Sequence, residues 1–175
     1  PYNCSSETPT YSPPSIAGTT DGFTFQLTNY DATGMSATAS VGRASISPTG
    51  LVSLTGAPSN TSGTVTITNH HDGFIDATVT VTANSLGSAL IPRFDTPTEI
   101  ATGFTAQITN FDPDFTWTVQ TTDTSTTEVN RAVATVDTST GLITVVDATP
   151  TTVVPVITTR PSYQTGSAFV KATSV

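Results

Sequence analysis

The chain has 175 residues, a net charge of −8 and a pI near 4.2, and only 10% of its residues are charged. Its basic residues, Arg43, Arg93, Arg131, Arg160 and Lys171, are scattered, so it lacks the basic stripe that phosphate backbones and anionic membrane surfaces require. No apolar run approaches the length of a spanning helix, so neither a nucleic-acid partner nor membrane insertion is expected.

Threonine, 40 residues in all, stands where other proteins carry charge. It is β-branched and favours strands, while its hydroxyl keeps an outward face wet. Disorder goes with high charge and few β-branched residues, the reverse of this composition. The sequence opens on Pro1 rather than Met and reads as a processed or excised fragment.

In chain order, residues 1–8 read as an extended N-terminal arm carrying Tyr2 and the sole cysteine, Cys4, which excludes an internal disulfide. Pro9-Thr10-Tyr11-Ser12-Pro13-Pro14-Ser15 continues extended, because each proline pushes its predecessor toward β or polyproline geometry. Phe23, Phe25 and Leu27 alternate with Thr24, Gln26 and Thr28, the period of a half-buried strand, and Asn29-Tyr30-Asp31 closes it. Val41, Ser45 and Ile46 form a short strand, Pro48-Thr49-Gly50 a turn, and Leu51–Leu54, Thr64–Thr68 and Ala77–Thr82 further strands. Ala83–Ser88, small and polar, reads as a linker.

The plan then repeats. Gly22-Phe23-Thr24-Phe25-Gln26-Leu27-Thr28-Asn29-Tyr30-Asp31 is matched by Gly103-Phe104-Thr105-Ala106-Gln107-Ile108-Thr109-Asn110-Phe111-Asp112, and Ala44–Val52 is echoed by Ala134–Ile143. The chain is therefore one module written twice. Phe104–Ile108, Phe115–Val119, Val133–Asp137, Leu142–Val146, Val153–Thr158 and Ser167–Ala172 are the strands of the second copy. Phe115, Trp117 and Val119 share one face, and the constant offset aligns Ser36 with Trp117. The added length of the second copy falls at residues 120–128, a polar loop or hairpin. Many short strands without helical periodicity mean an all-β protein of two tandem immunoglobulin-like β-sandwich domains. The expected organisation is the arm at 1–8, one domain at 9–88 and another at 89–175.

Val133-Ala134-Thr135-Val136 with its polar turn to Gly141, the strand Leu142-Ile143-Thr144-Val145 and the alternating Val153–Thr159 resembles the bacterial immunoglobulin-like domain of group 2. The resemblance implies an extracellular module: a cell-surface stalk or adhesin, a filament, or a virion decoration or fibre. It implies no catalytic residues.

Chemistry is sparse in the residues themselves. His70 and His71 are adjacent on what reads as a strand end and point apart, so they make a poor shared metal site. No G-x-S-x-G context exists for a triad and no carboxylate pair for glycoside hydrolysis, so an enzyme is not expected. Asn110, Asp112 and Asp114 place three oxygen-bearing side chains at alternate positions, a candidate calcium site, but Pro113 interrupts them and no distal glutamate completes a calcium loop. Otherwise no cofactor is expected, and Asn29 and Asn110 read as caps of their own turns. Tyr2, Tyr11 and Tyr163 are the candidates for stacking on a glycan, the basis of an alternative as a pair of carbohydrate-binding modules. The expected partner is another subunit of a homo- or hetero-multimer. Open strand edges and the proline-spaced arm suggest strand addition, with Tyr2, Cys4, Tyr11 and Ile16 as assembly residues.

Overall fold

The computed structural model describes residues 4–12, 16–120, 132–148 and 152–172. The chain divides into two compact units, Pro1–Ser88 and Ala89–Val175.

Among its described residues the first unit has seven strands: β1 (Ala17–Thr19), β2 (Gly22–Gln26), β3 (Met35–Ala39), β4 (Arg43–Ile46), β5 (Leu51–Thr55), β6 (Ser62–Asn69) and β7 (Ala77–Asn84). They form two antiparallel sheets, ordered β1-β2-β5-β4 and β3-β6-β7. Alternation decides which residues fill the interior. Phe23, Phe25 and Leu27 from the β2 region, Val52 and Leu54 from β5, Val65 and Ile67 from β6 and Val81 from β7 make one buried cluster. The outward positions of β6 are Thr64, Thr66 and Thr68, which is how so much threonine is accommodated.

The second unit repeats this with β8 (Thr98–Ile100), β9 (Gly103–Gln107), β10 (Thr116–Val119), β11 (Val133–Val136), β12 (Leu142–Val146), β13 (Thr152–Thr159) and β14 (Gly166–Ala172). Its sheets are β8-β9-β12-β11 and β10-β13-β14. Four strands facing three in this order is the arrangement of a constant-type immunoglobulin domain, so the protein is all-β with two tandem immunoglobulin-like sandwiches. Phe104, Ala106 and Ile108 take the places of Phe23, Phe25 and Leu27, and all six are buried. No helix among the described residues is long and apolar enough to cross a membrane.

The duplicated segment owes its glycines to close approach. A Cβ on Gly22 would lie 1.9 Å from the Leu54 carbonyl oxygen, and one on Gly103 would lie 2.0 Å from that of Val145. In the turns beyond, Gly50 and Gly141 have φ of +80° and +72° and support the rings of Tyr30 and Phe111.

Three expectations are corrected. The alternation assigns nothing between Asp31 and Val41, yet β3 occupies Met35–Ala39; its sequence, Met-Ser-Ala-Thr-Ala, is too weakly apolar to show the period. The alignment of Ser36 with Trp117 fails by one residue. Trp117 pairs with the buried Thr158, and the residue paired with the equivalent buried Asn69 is Met35. The connection from Asn110 to Trp117 spans seven positions against six from Asn29 to Met35, and a slip of one residue exchanges the two faces of a strand. Finally, the small and polar run at 83–88 is not a free linker. Ala83 and Asn84 end β7, and Ser85 is buried, with its Oγ accepting Thr61 N at 2.9 Å and donating to Pro58 O at 2.6 Å. The loop expected at 120–128 lies, beyond Gln120, outside the described residues.

Trp117 is 6% exposed, packs at a tilt against Phe111 with ring centroids 5.5 Å apart and donates Nε1–H to Asp112 O at 2.9 Å. Trp117→Ala is therefore expected to cost about 3–5 kcal/mol by chemical denaturation. The corrected register is checked in the other unit: Met35→Ala should cost roughly 2 kcal/mol, whereas Ser36→Ala should stay within about 0.5 kcal/mol. The opposite ranking would restore the Ser36 alignment.

Candidate functional site

The repeated motif ends in side chains that hold the chain rather than a ligand. Gln26 Nε2 donates to Leu27 O at 3.0 Å and to Thr49 O at 2.8 Å; Gln107 Nε2 donates to Ile108 O at 3.1 Å and to Thr140 O at 2.7 Å. Each glutamine thereby ties its strand to the neighbouring turn.

Asn29 and Asn110 do not cap their own turns, as the sequence suggested. Each reaches across to a preceding extended segment and brackets it. Asn29 Oδ1 accepts Thr10 N at 2.8 Å while its Nδ2 donates to Thr8 O at 2.9 Å. Asn110 Oδ1 accepts Arg93 N at 2.9 Å while its Nδ2 donates to Ile91 O at 2.8 Å. A carboxamide offers one acceptor and two donors, which matches the C=O and N–H of residues two apart on a strand. The turns are closed instead by the aspartates that follow. Asp31 Oδ1 accepts Thr33 N at 2.9 Å and Thr33 Oγ1 at 2.7 Å, and Asp112 Oδ1 accepts Asp114 N at 2.9 Å. The Thr33 hydroxyl and N–H hold the Asp31 carboxyl below its ordinary value, with a smaller contribution from His71.

The bracketed segments reveal a part of the repeat missed in the sequence. Thr8-Pro9-Thr10-Tyr11 occupies the place of Ile91-Pro92-Arg93-Phe94. Both prolines are buried, and Tyr11 bridges to Leu27 as Phe94 bridges to Ile108. The signal was present as Pro-x-aromatic upstream of each Gly-Phe-Thr, hidden because the spacing to it differs between copies. A third tie completes the hold: Asn69 Nδ2 donates to Glu7 O at 2.9 Å, and Thr158 Oγ1 donates to Leu90 O at 2.6 Å.

These contacts locate the candidate assembly residues. Tyr2 lies outside the described residues. Cys4 is an exposed free thiol whose carbonyl accepts Ile75 N at 3.0 Å. Tyr11 packs edge-on against Phe25 at 5.6 Å and Ile16 packs on the core of the first unit. The described part of the arm, residues 4–8, is thus seated on the first unit.

For the calcium candidates, the Asn110 amide is committed to the backbone, Asp112 Oδ1 to Asp114 N, and Asp114 Oδ2 lies 3.4 Å from Arg160 Nη2. Among the described residues no group of three or more His, Cys, Asp or Glu side chains converges to hold a metal ion. Arg160 covers Phe115 at 5.5 Å and Tyr163 at 4.7 Å, so Tyr163, a candidate for glycan stacking, is packed within its own unit.

The two histidines face different carboxylates: His70 Nδ1 is 2.6 Å from Asp76 Oδ1, and His71 Nε2 is 2.8 Å from Asp31 Oδ2. The hydrogen bond and charge of Asp76 raise the His70 pKa above its ordinary value. A cleft of about 540 Å³ lies beside them, lined by Ser5, Ser6, Glu7, His71, Asp72 and Phe74.

No family model and no curated protein matches the chain. Among solved structures it is similar to the extracellular cadherin domains 3–6 of protocadherin gamma B2, at 14% identity and a TM-score of 0.32, over 94% of this chain and 46% of that one. It is also similar to mouse clustered PcdhgC3 EC1-3, at 10% identity and a TM-score of 0.30, over 96% of this chain and 68% of that one. The chain thus spans less than half the length of the first of these.

Asn29→Ala should cost about 1–2 kcal/mol, the net worth of its two bonds to the backbone, and hydrogen exchange should accelerate at Thr10 and Thr28; unchanged exchange would refute the bracket. Asp76→Asn should lower the His70 titration, followed by imidazole proton resonances, toward about 6.5. The sign follows from the raised folded value: the stabilisation from this pair is full below the ordinary imidazole pKa and is lost as pH rises through the folded one. Millimolar calcium should leave the melting temperature unchanged; a rise of several degrees would promote Asp112 and Asp114 to ligands.

Proposed function

We propose that this chain is a non-enzymatic structural and adhesive module of an extracellular assembly: a cell-surface stalk, a filament, or a virion decoration or fibre. One observation carries the proposal. The residues that make the two copies recognisable perform the same scaffolding tasks in both, from the close-approach glycine and the inward phenylalanine to the turn-tying glutamine, the bracketing asparagine and the turn-closing aspartate. A motif kept for a substrate would leave polar groups unengaged and convergent. These are spent on backbone groups within each unit, which favours repetition of a scaffold. The resemblance of Val133–Thr159 to bacterial immunoglobulin-like domains of group 2 accords with this reading, as does an acidic surface nearly free of lysine.

The alternative, a pair of carbohydrate-binding modules, rests on exposed aromatics. Tyr11 and Tyr163 are both engaged by their own unit, which leaves this alternative with less support. A glycan array probed with the intact chain is expected to return background binding. Specific retention of one glycan class, abolished by Tyr163→Ala in a variant of unchanged stability, would overturn the structural reading in favour of the alternative.

A further inference from the structure

The segment Cys4–Ser12 lies on the first unit as a strap, and its hydrogen bonds run to the body of that unit. Cys4 O and Ser6 N meet Ile75, Glu7 O meets Asn69, Thr8 O and Thr10 N meet Asn29, Thr10 O meets Thr28, and Ser12 N meets Gln26 O. The Thr10 and Thr28 hydroxyls are 2.6 Å apart. Tyr11 adds the apolar anchor, edge-on to Phe25. Backbone pairing of this kind, with a half-buried aromatic side chain in register, is how an added strand is recognised. It does not depend on whether strap and groove belong to one molecule.

Between strap and β1 the sequence places Pro13 and Pro14. Neither has an N–H to contribute to a ladder, so the pairing of the strap is separated in sequence from that of Ala17–Thr19. Exchanging an identical element between protomers preserves every contact and is a low-cost route to dimers.

We propose that the strap is exchangeable, and that the groove bounded by Gln26–Asn29, Asn69 and Ile75 accepts residues 4–12 of a second copy of this chain. Tyr11 of one copy then lies against the partner's Phe25, and each groove is complete only when a strap, its own or the partner's, fills it. The recognised pattern is Pro-x-aromatic in extended form, Pro9-Thr10-Tyr11 in the strap. The second unit holds Ile91-Pro92-Arg93-Phe94 by the equivalent bracket, so the recognition belongs to the fold and not to one loop. A tethered strap competes at an effective concentration on the order of 1 mM, and exchange is therefore expected in concentrated solution or where copies are crowded on a surface. The inference does not rest on the extracellular assignment above.

The test uses full chains carrying Cys4→Ser. A chain with both Thr10→Cys and Thr28→Cys should oxidise within itself to a monomer of raised gel mobility. Chains with Thr10→Cys alone and Thr28→Cys alone, mixed near 0.5 mM, should accumulate a disulfide-linked heterodimer. A tenfold excess of a peptide of residues 4–12, with serine in place of Cys4, should suppress that heterodimer severalfold. The control replaces the Thr28→Cys chain by one bearing Thr80→Cys, on an exposed position of β7. Exchange is overturned if the mixture yields no more dimer than the control, or if the peptide leaves its yield unchanged. It is equally overturned if the double variant forms no disulfide between positions 10 and 28, either within one chain or between two, because the strap then does not sit in the groove in solution.

Discussion

The placement of β2 and β9 governs the rest of each unit. Each lies inside its sheet, β2 between β1 and β5 and β9 between β8 and β12. Its inward phenylalanines are among the largest fully buried side chains of each unit. At its head a glycine allows backbone contact with the strand beside it, and at its foot a glutamine and an asparagine reach opposite ways, to the β-turn on one side and to the strap on the other. A slip by one residue would turn the phenyl groups to solvent and take both amides away from their partners at once. Burial of the alternating apolar side chains and the polar ties thus enforce one register together, which is why the polar positions of the segment recur with the apolar ones.

Where that constraint ends, the two units diverge. At the hairpin following β6, the first unit has exposed contacts between imidazoles and carboxylates, His70 with Asp76 and His71 with Asp31. Exposed pairs of this type contribute little to stability. At the equivalent end of the second unit stand a tilted pair of Trp117 and Phe111, an edge-to-face pair of Tyr163 and Phe115, and Arg160 over both of the latter rings. Aromatic pairs add about 0.5–1.5 kcal/mol each beyond the area they bury, so this end of the second unit is the more firmly held. The buried polar group that ties the strap also differs in type, Asn69 in one unit and Thr158 in the other, while its acceptor is a backbone carbonyl in both. Any residue able to donate at that point serves, because the acceptor belongs to the main chain.

The sequence by itself determined the all-β class, the duplication, most strands and the inward face of β2 and β9. Alternation and turn chemistry act between residues only a few positions apart, so they can be read along the chain. Trp117 as a core residue was legible for the same reason. The tertiary structure alone decided that Met35, not Ser36, faces the core, since a one-residue difference in a turn shifts register without altering composition. It alone decided that Asn29 and Asn110 hold a strap, that Tyr11 and Ile16 pack inward on their own unit, and that Ser85 is stitched into it. Those outcomes depend on hydrogen-bond partners such as Thr10 for Asn29 and Glu7 for Asn69, 19 and 62 positions away. A carboxamide is equally suited to a turn of its own or to a distant strand, and only the packed sheets bring the second partner within reach.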